Sequence, residues 1–313
     1  MPDYKIQIYW VRHGYSCANV IRDTIGVTDI LHGSLLPRSK YSPDAQLANY
    51  GVQQTNETKT NNKTLLSEIQ VVLTSELRRA IETALYLFTD KKIYPVPYVN
   101  ERRNDFLQYF DLDKDNSNSD RTELTTYLKT NFPQNANNVD FSIVDEIKGV
   151  ETHLFPADAD KFFDIVIPKL IAKQFKDAKE IKILIVSHQG FIEKHLKNIT
   201  ALEEFPYINN ADIWVENVSV RLDDKGQLAQ LTQNKVSECG DQYKGLTCRI
   251  GPELKATELL NKDSFQRCNE DMKERLESVE TYKPKEKKMQ KGGYYLYKKY
   301  KYKYLLAKEQ RIL

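Results

Sequence analysis

"YWVRHGYSCAN", residues 9–19, is the stretch on which the fold turns. An apolar run, "KIQIYWV" at 5–11, does not end in bland turn chemistry. It ends in a fixed cation, an imidazole and a glycine, then small polar residues and an asparagine. Short β-rich runs of the same kind recur at 68–75 ("EIQVVLTS"), 93–99 ("IYPVPYV"), 181–188 ("IKILIVSH") and 213–223 ("IWVENVSVRLD"). Helical patterns lie between them, at 75–88, 159–175 and 190–199. Strand–helix alternation of this kind predicts an α/β fold, a three-layer α/β/α arrangement around a mostly parallel sheet. In such sheets ligands gather beyond the carboxyl ends of the strands. That edge is where "RHG", "TSELRR", "NERR" and "SHQG" all fall, so four polar clusters can share one pocket.

A chain of 313 residues can bury a sizeable core. Its 40% hydrophobic and 29% charged residues are ordinary for a soluble globular protein. No apolar run reaches the length of a membrane-spanning helix, and a strand pattern begins almost at the first residue, which leaves no room for a secretory signal. A cytoplasmic protein is the expectation. The four cysteines, Cys17, Cys239, Cys248 and Cys268, have neither CxxC pairing nor metal-finger spacing, so reduced thiols are expected and zinc is not. Cys17 reads as a small buried filler.

At the first strand's end, a neutral His13 is a good nucleophile toward phosphorus. Flanking arginines disfavour its protonated form and attract a substrate dianion. Gly14 lets backbone approach a ligand closely, and a helix opening at Ser16–Val20 would aim unpaired N–H groups at an anion. In "TSELRRAIETA" (74–84) two arginines open a helix. One can clamp a phosphoryl oxygen, and the other, Arg78, reads as part of a solvated face. His188 in "LIVSHQGFI" ends a second buried strand. Glu101 in "VPYVNERRND" follows a third, where a carboxyl group can serve as general acid.

In order, these motifs resemble the histidine phosphatase superfamily, the phosphoglycerate mutase-like family, over residues 5 to about 232. Arg12, His13, Gly14 and Asn19 match its RHG…N signature. Asp44, Leu47, Gly51 and Gln54 look like its L-T-x-x-G-x-x-Q segment, and Arg79, directly before Ala80, takes the place of its phosphate-binding arginine. Glu101 sits where one branch carries its acid, and His188 where the second histidine falls. The resemblance implies that His13 attacks phosphorus and becomes phosphohistidine. Arg12, Asn19, Arg79 and His188 would hold the phosphoryl oxygens, and Glu101 would protonate the leaving alcohol. Neither cofactor nor metal is implied. Gln189 follows the second histidine where the acid phosphatase branch has Asp, which leaves Glu101 as the acid. Position 15 is Tyr where the glycolytic mutases carry Glu, and their F-x-G-W-x-D stretch is absent. A phosphomonoesterase acting on a small phosphorylated metabolite is therefore favoured. A phosphoglycerate-type mutase and a catalytically idle phospho-ligand binder or scaffold are the alternatives.

The expected organisation is a catalytic domain over 1–235, with insertions at 22–46 and 103–158 over the site. A loop and helix extension follows over 236–282, then a Lys/Tyr-rich tail over 283–313. His32 and His153 lie in the insertions and read as surface residues, and His195 reads as a packing or surface residue. From Lys283 to Leu313 eleven Lys/Arg face two acids, a net +9, which leaves −7 for residues 1–282 in a chain of net +2. Interleaved Lys and Tyr suit a nucleic-acid backbone, an anionic surface or a protein partner, and periodicity does not choose among them. The tail is also similar to Tyr/Lys-rich segments in proteins of amoeba-infecting giant viruses. On that likeness the location would be host cytoplasm or virion.

Overall fold

A computed structural model describes residues 3–19, 44–101, 119–148, 156–200, 208–238 and 267–268. His32, His153, Cys239, Cys248 and the basic tail lie outside these described residues. Among the described residues six strands form one sheet: β1 (Asp3–Arg12), β2 (Val71–Thr74), β3 (Ile93–Pro95), β4 (Glu180–Ser187), β5 (Ile213–Leu222) and β6 (Leu228–Glu238). Their order is β3-β2-β4-β1-β5-β6. β1, β2, β3 and β4 run parallel, while β5 is antiparallel to β1 and β6 to β5. β6 has no counterpart among the apolar runs. Its "LAQLTQNKVSE" is too polar to read as a strand, and pairing with β5 at the sheet edge supplies what composition does not.

The helices are α1 (Asn49–Asn61), α2 (Lys63–Glu68), α3 (Arg78–Leu87), α4 (Arg121–Asn131), α5 (Ser142–Lys148), α6 (Ile167–Gln174) and α7 (Gln189–Thr200). A short helix, Ala159–Lys161, and a π-helical turn, Phe162–Val166, lead into α6. Alternation along the strands divides the core in two. Ile6, Ile8 and Trp10 of β1 and Ile181, Ile183 and Ile185 of β4 face α5, α6 and α7. Tyr9, Val11, Leu184 and Val186 face the other way, onto α2, α3 and α4. Helices therefore cover both faces. Among the described residues no helix is long and apolar enough to cross a membrane.

Strand order determines where the chemistry meets. β4 lies between β1 and β2, and the register pairs Arg12 with Ser187 and Thr74 with Val186. The residues that leave these three strands, His13, Ser75 and His188, are thereby brought together at one carboxyl edge. His13 N–H donates to the Ser187 carbonyl at 3.0 Å, and Ser75 N–H to that of Val186 at 2.9 Å.

Candidate active site

His13 is 4% exposed, and its ring is tightly oriented. Nδ1 lies 2.7 Å from the Gly14 carbonyl, which can only accept, so Nδ1 carries a proton. Nε2 receives the Nε–H of Arg79 at 3.2 Å, which places the lone pair of a neutral imidazole at Nε2. Asn210 Nδ2 donates to the His13 carbonyl at 2.7 Å, and Gly14 N–H donates to Thr83 Oγ1 at 3.0 Å. A Cβ on Gly14 would come within 2.7 Å of the Gly51 carbonyl oxygen, and one on Gly51 within 2.0 Å of that of Tyr15. Neither position accepts a larger residue without movement of backbone. Gln54 Oε1 accepts Tyr15 N–H at 3.0 Å, so the "DAQLANYGVQQ" segment acts as a brace behind the loop after β1.

Further along that loop Cys17–Asn19 enter a helical turn. Asn19 Oδ1 accepts Ser16 N–H at 3.0 Å and the Ser16 hydroxyl at 2.8 Å, which leaves its Nδ2 as the end able to donate to an anion. Cys17 is joined to Cys268 by a disulfide, with 5.5 Å between the Cα atoms and 251 residues between them in sequence. For these two cysteines this corrects the expectation of reduced thiols. A bond between positions so far apart leaves no local spacing from which to infer it.

His188 is fully buried, and its ring centroid lies 5.0 Å from that of His13. Its Nε2 is 2.7 Å from Ser75 Oγ, whose oxygen also accepts Leu77 N–H at 3.1 Å. With the Ser75 proton directed to Nε2, the ring proton sits on Nδ1. Among the described residues that atom is buried without a hydrogen-bond partner, and Glu101 Oε2 is 3.8 Å away. Burial, then the charges of Arg79, His13 and Arg12, hold the His188 pKa well below the usual histidine range, so it is neutral. A buried ring N–H with no partner beside two arginines fits an acceptor-rich anion.

Arg12 is 1% exposed, and its Nη1 donates to the Ile208 carbonyl at 2.6 Å. Arg79 is buried against His13. Arg78 is buried too, which corrects its reading as part of a solvated face. Its backbone N–H donates to Asp44 Oδ1 at 2.7 Å, its Nη2 to Ser119 Oγ at 2.8 Å, and its guanidinium lies 4.2 Å from the Tyr127 ring centroid. Stacking and side-chain acceptors take the place of water around it. Tyr98 and Ala211 have left-handed backbones, φ 72° and 63°. They lie in the loops that carry Glu101 and Asn210, and such strain of about 1–3 kcal/mol per residue persists only where surroundings enforce it.

His13, Glu101 and His188 offer ligand atoms that all lie within 4.8 Å of one another, a spacing at which a metal ion could be held. Arg12 and Arg79 border the same space and favour an anion over a cation there. His195 is buried and remote in role. Its Nε2 is 2.9 Å from Glu216 Oε2, which also accepts Trp10 Nε1–H at 2.7 Å. Ser75, Thr83 and Asn210 are the site residues that sequence reasoning missed. The serine and threonine stand inside the quoted "TSELRRAIETA", whereas Asn210 carries no sequence signal.

The strand ends thus bring two imidazoles, two buried arginines and a carboxyl group together at one edge of an α/β sheet. No family model matches the chain, and no curated protein does. Structural matches over most of the chain are to members of the histidine phosphatase superfamily, the family its motifs resemble. One is an Entamoeba histolytica phosphoserine phosphatase mutant bound to phosphoserine, at 17% identity and TM-score 0.35, covering 74% of this chain and 96% of that one. Another is a putative α-ribazole-5'-P phosphatase from Escherichia coli, at 18% identity and TM-score 0.34, covering 73% and 95%. A third is the protein histidine phosphatase SixA with tungstate, at 14% identity and TM-score 0.31, covering 75% and 99%. A likeness of that size assigns no chemistry, which has to come from this chain's own residues.

Proposed function

We propose that the chain is a metal-independent histidine phosphatase, a phosphomonoesterase that works through phosphohistidine on a small phosphorylated metabolite. One observation carries the reading. The His13 lone pair is presented at Nε2 by the Nδ1–Gly14 contact and receives Arg79 Nε–H, while the His188 ring, whose buried Nδ1 has no hydrogen-bond partner among the described residues, stands 5.0 Å away centroid to centroid. Nucleophile and charge stabilisers are already oriented, which is the main protein contribution to phosphoryl transfer.

In this reading His13 Nε2 forms a bond to phosphorus while the bond from phosphorus to the ester oxygen breaks. Protonated Glu101 gives its proton to the departing alkoxide, which leaves as alcohol. Arg12, Arg79, His188 Nδ1–H and Asn19 Nδ2–H receive the charge that spreads over the three remaining oxygens. The Glu101 carboxylate then takes a proton from water as the water oxygen attacks phosphorus. The N–P bond breaks, and inorganic phosphate and neutral His13 are restored. Arg12 and Arg79 supply the positive charge, so no step calls for a metal.

The test is hydrolysis of an aryl phosphate in EDTA by wild type and His13→Ala. Turnover should survive chelation and fall by about a thousandfold or more in the variant. Turnover that disappears with EDTA, or persists in His13→Ala, contradicts the reading.

A further inference from the structure

Arg267 and Cys268 lie 29 and 30 residues beyond Glu238, the last residue of β6, yet they are built into the body. Cys268 is fully buried, bonded to Cys17 in the loop after β1. The Arg267 carbonyl accepts Gln46 Nε2–H at 2.6 Å, and Cys17 N–H donates to the Gln46 carbonyl at 2.9 Å. Arg267 Nη1 lies 3.4 Å from Glu82 Oε2, and Nη2 donates to the Tyr127 hydroxyl at 3.3 Å. Glu82 in turn accepts Leu47 N–H at 2.9 Å and the Tyr127 hydroxyl.

Both anchor points lead directly to groups that would hold phosphate. Cys17 is flanked by Ser16 and stands two residues before Asn19, in the turn closed by the Ser16–Asn19 hydrogen bonds. Glu82 is on α3, three residues after Arg79 and one before Thr83, which fixes the Gly14 amide. We propose that Arg267 and Cys268 are positioning residues of the phosphate site. They clamp the Ser16–Asn19 turn and helix α3 from behind, so that Asn19 and Arg79 converge on the same anion.

The electrostatics give the clamp a direction. The Glu82 side chain is fully buried, and burial pushes its carboxyl up against the opposing pull of Arg267 and of hydrogen bonds from Tyr127 and Leu47. Without Arg267 the cation still acting on it is Arg78, four residues back on the same helix. A buried carboxyl group left without its guanidinium would be relieved by a shift of α3, which carries Arg79 out of line with the anion. Loss of the disulfide acts on the other jaw, because the Cys17 side chain then no longer ties its turn to Cys268, beside the Arg267 carbonyl that holds Gln46.

The proposal rests on the phosphatase reading for the identity of the anion, but its test does not need turnover. The full chain and its Cys268→Ala, Arg267→Ala and Arg267→Lys variants are titrated with inorganic phosphate by calorimetry. Amide exchange is followed over residues 14–19 in each. Cys268→Ala and Arg267→Ala should each weaken phosphate about tenfold, the loss of one well-made hydrogen bond to an anion. Arg267→Lys, which keeps the charge and loses the fork, should recover part of that. Adding Glu82→Gln to Arg267→Ala should restore phosphate affinity while the melting temperature stays lowered, a split that a purely structural role does not produce. Folded variants with wild-type phosphate affinity and unchanged protection of 14–19 overturn the proposal. If the alanine variants do not fold, Arg267→Lys decides: weaker phosphate supports the clamp, and unchanged affinity overturns it. If wild type binds no phosphate, the phosphatase reading fails. The clamp is then judged on amide exchange alone, which must rise at 14–19 in Cys268→Ala or the clamp fails as well.

Discussion

Two buried histidines of this molecule each have a carboxylate neighbour, and they could hardly be less alike. His195 sits 2.9 Å from Glu216 and is walled by Trp10, Phe163 and Phe191, with ring centroids 5.2, 5.5 and 6.0 Å away. His188 stands 3.8 Å from Glu101 at the carboxyl edge of the same sheet, with an Nδ1 that has no hydrogen-bond partner among the described residues and with Arg79, His13 and Arg12 as its neighbours. The first pair is in hydrogen-bond contact and ties α7 to β5 on one face of the sheet. The second is not, since its two groups stand beyond hydrogen-bond reach of each other. What separates them is position along the strands rather than residue type. Side chains within β1 and β5 meet other protein groups, whereas residues just beyond Arg12 and Ser187 meet the space a ligand would fill.

Three substitutions sharpen that contrast. The largest effect is expected from Glu216→Ala, which leaves His195 and the Trp10 indole buried without their acceptor. It should cost about 3–5 kcal/mol of unfolding free energy in denaturant titration, with turnover per folded molecule retained. Lost turnover in folded protein would place this pair in the site and erase the distinction. Arg79→Ala should do the reverse. It should lower kcat/KM by about a hundred- to a thousandfold, as removal of one preorganised donor to a developing charge does, with the fold intact by circular dichroism. A change below threefold would remove Arg79 from the chemistry.

The smallest effect is in pH dependence, and its sign follows from burial. His188 has a lowered pKa in the fold and an ordinary one, about 6.5, when unfolded. Between those two values the unfolded chain binds a proton that the folded chain refuses. Stability from this group is therefore complete above about pH 6.5 and declines as pH falls below it, by up to about 1.4 kcal/mol per pH unit. His188→Asn should flatten the acid limb of the stability profile by that slope. An unchanged limb would mean that His188 protonates freely in the fold.

Much of the fold was legible because buried parallel strands must be apolar. β1 and β4 stand out as "KIQIYWV" and "IKILIVS", and the polar residues that end them are conspicuous for that reason. α1 shows no such pattern. It buries Gly51, Gln54, Thr55 and Thr58, so its inner face is polar and its packing depends on a glycine and on hydrogen bonds rather than on apolar periodicity. Arg78 was misread for a related reason, since a buried arginine and a solvated one share a sequence. Asn210 and Cys268 reach the site from positions 197 and 251 residues away from their partners. No local pattern reports a contact of that range.

The central claim is that His13 itself carries the phosphoryl group between substrate and water. Rapid mixing with a ³²P-labelled aryl phosphate, quenching in base and peptide mapping test it most directly. The account predicts one acid-labile, base-stable label per molecule, on the peptide holding His13 and absent from His13→Ala. Turnover with no such label at any quench time, or a label on another residue, would contradict it.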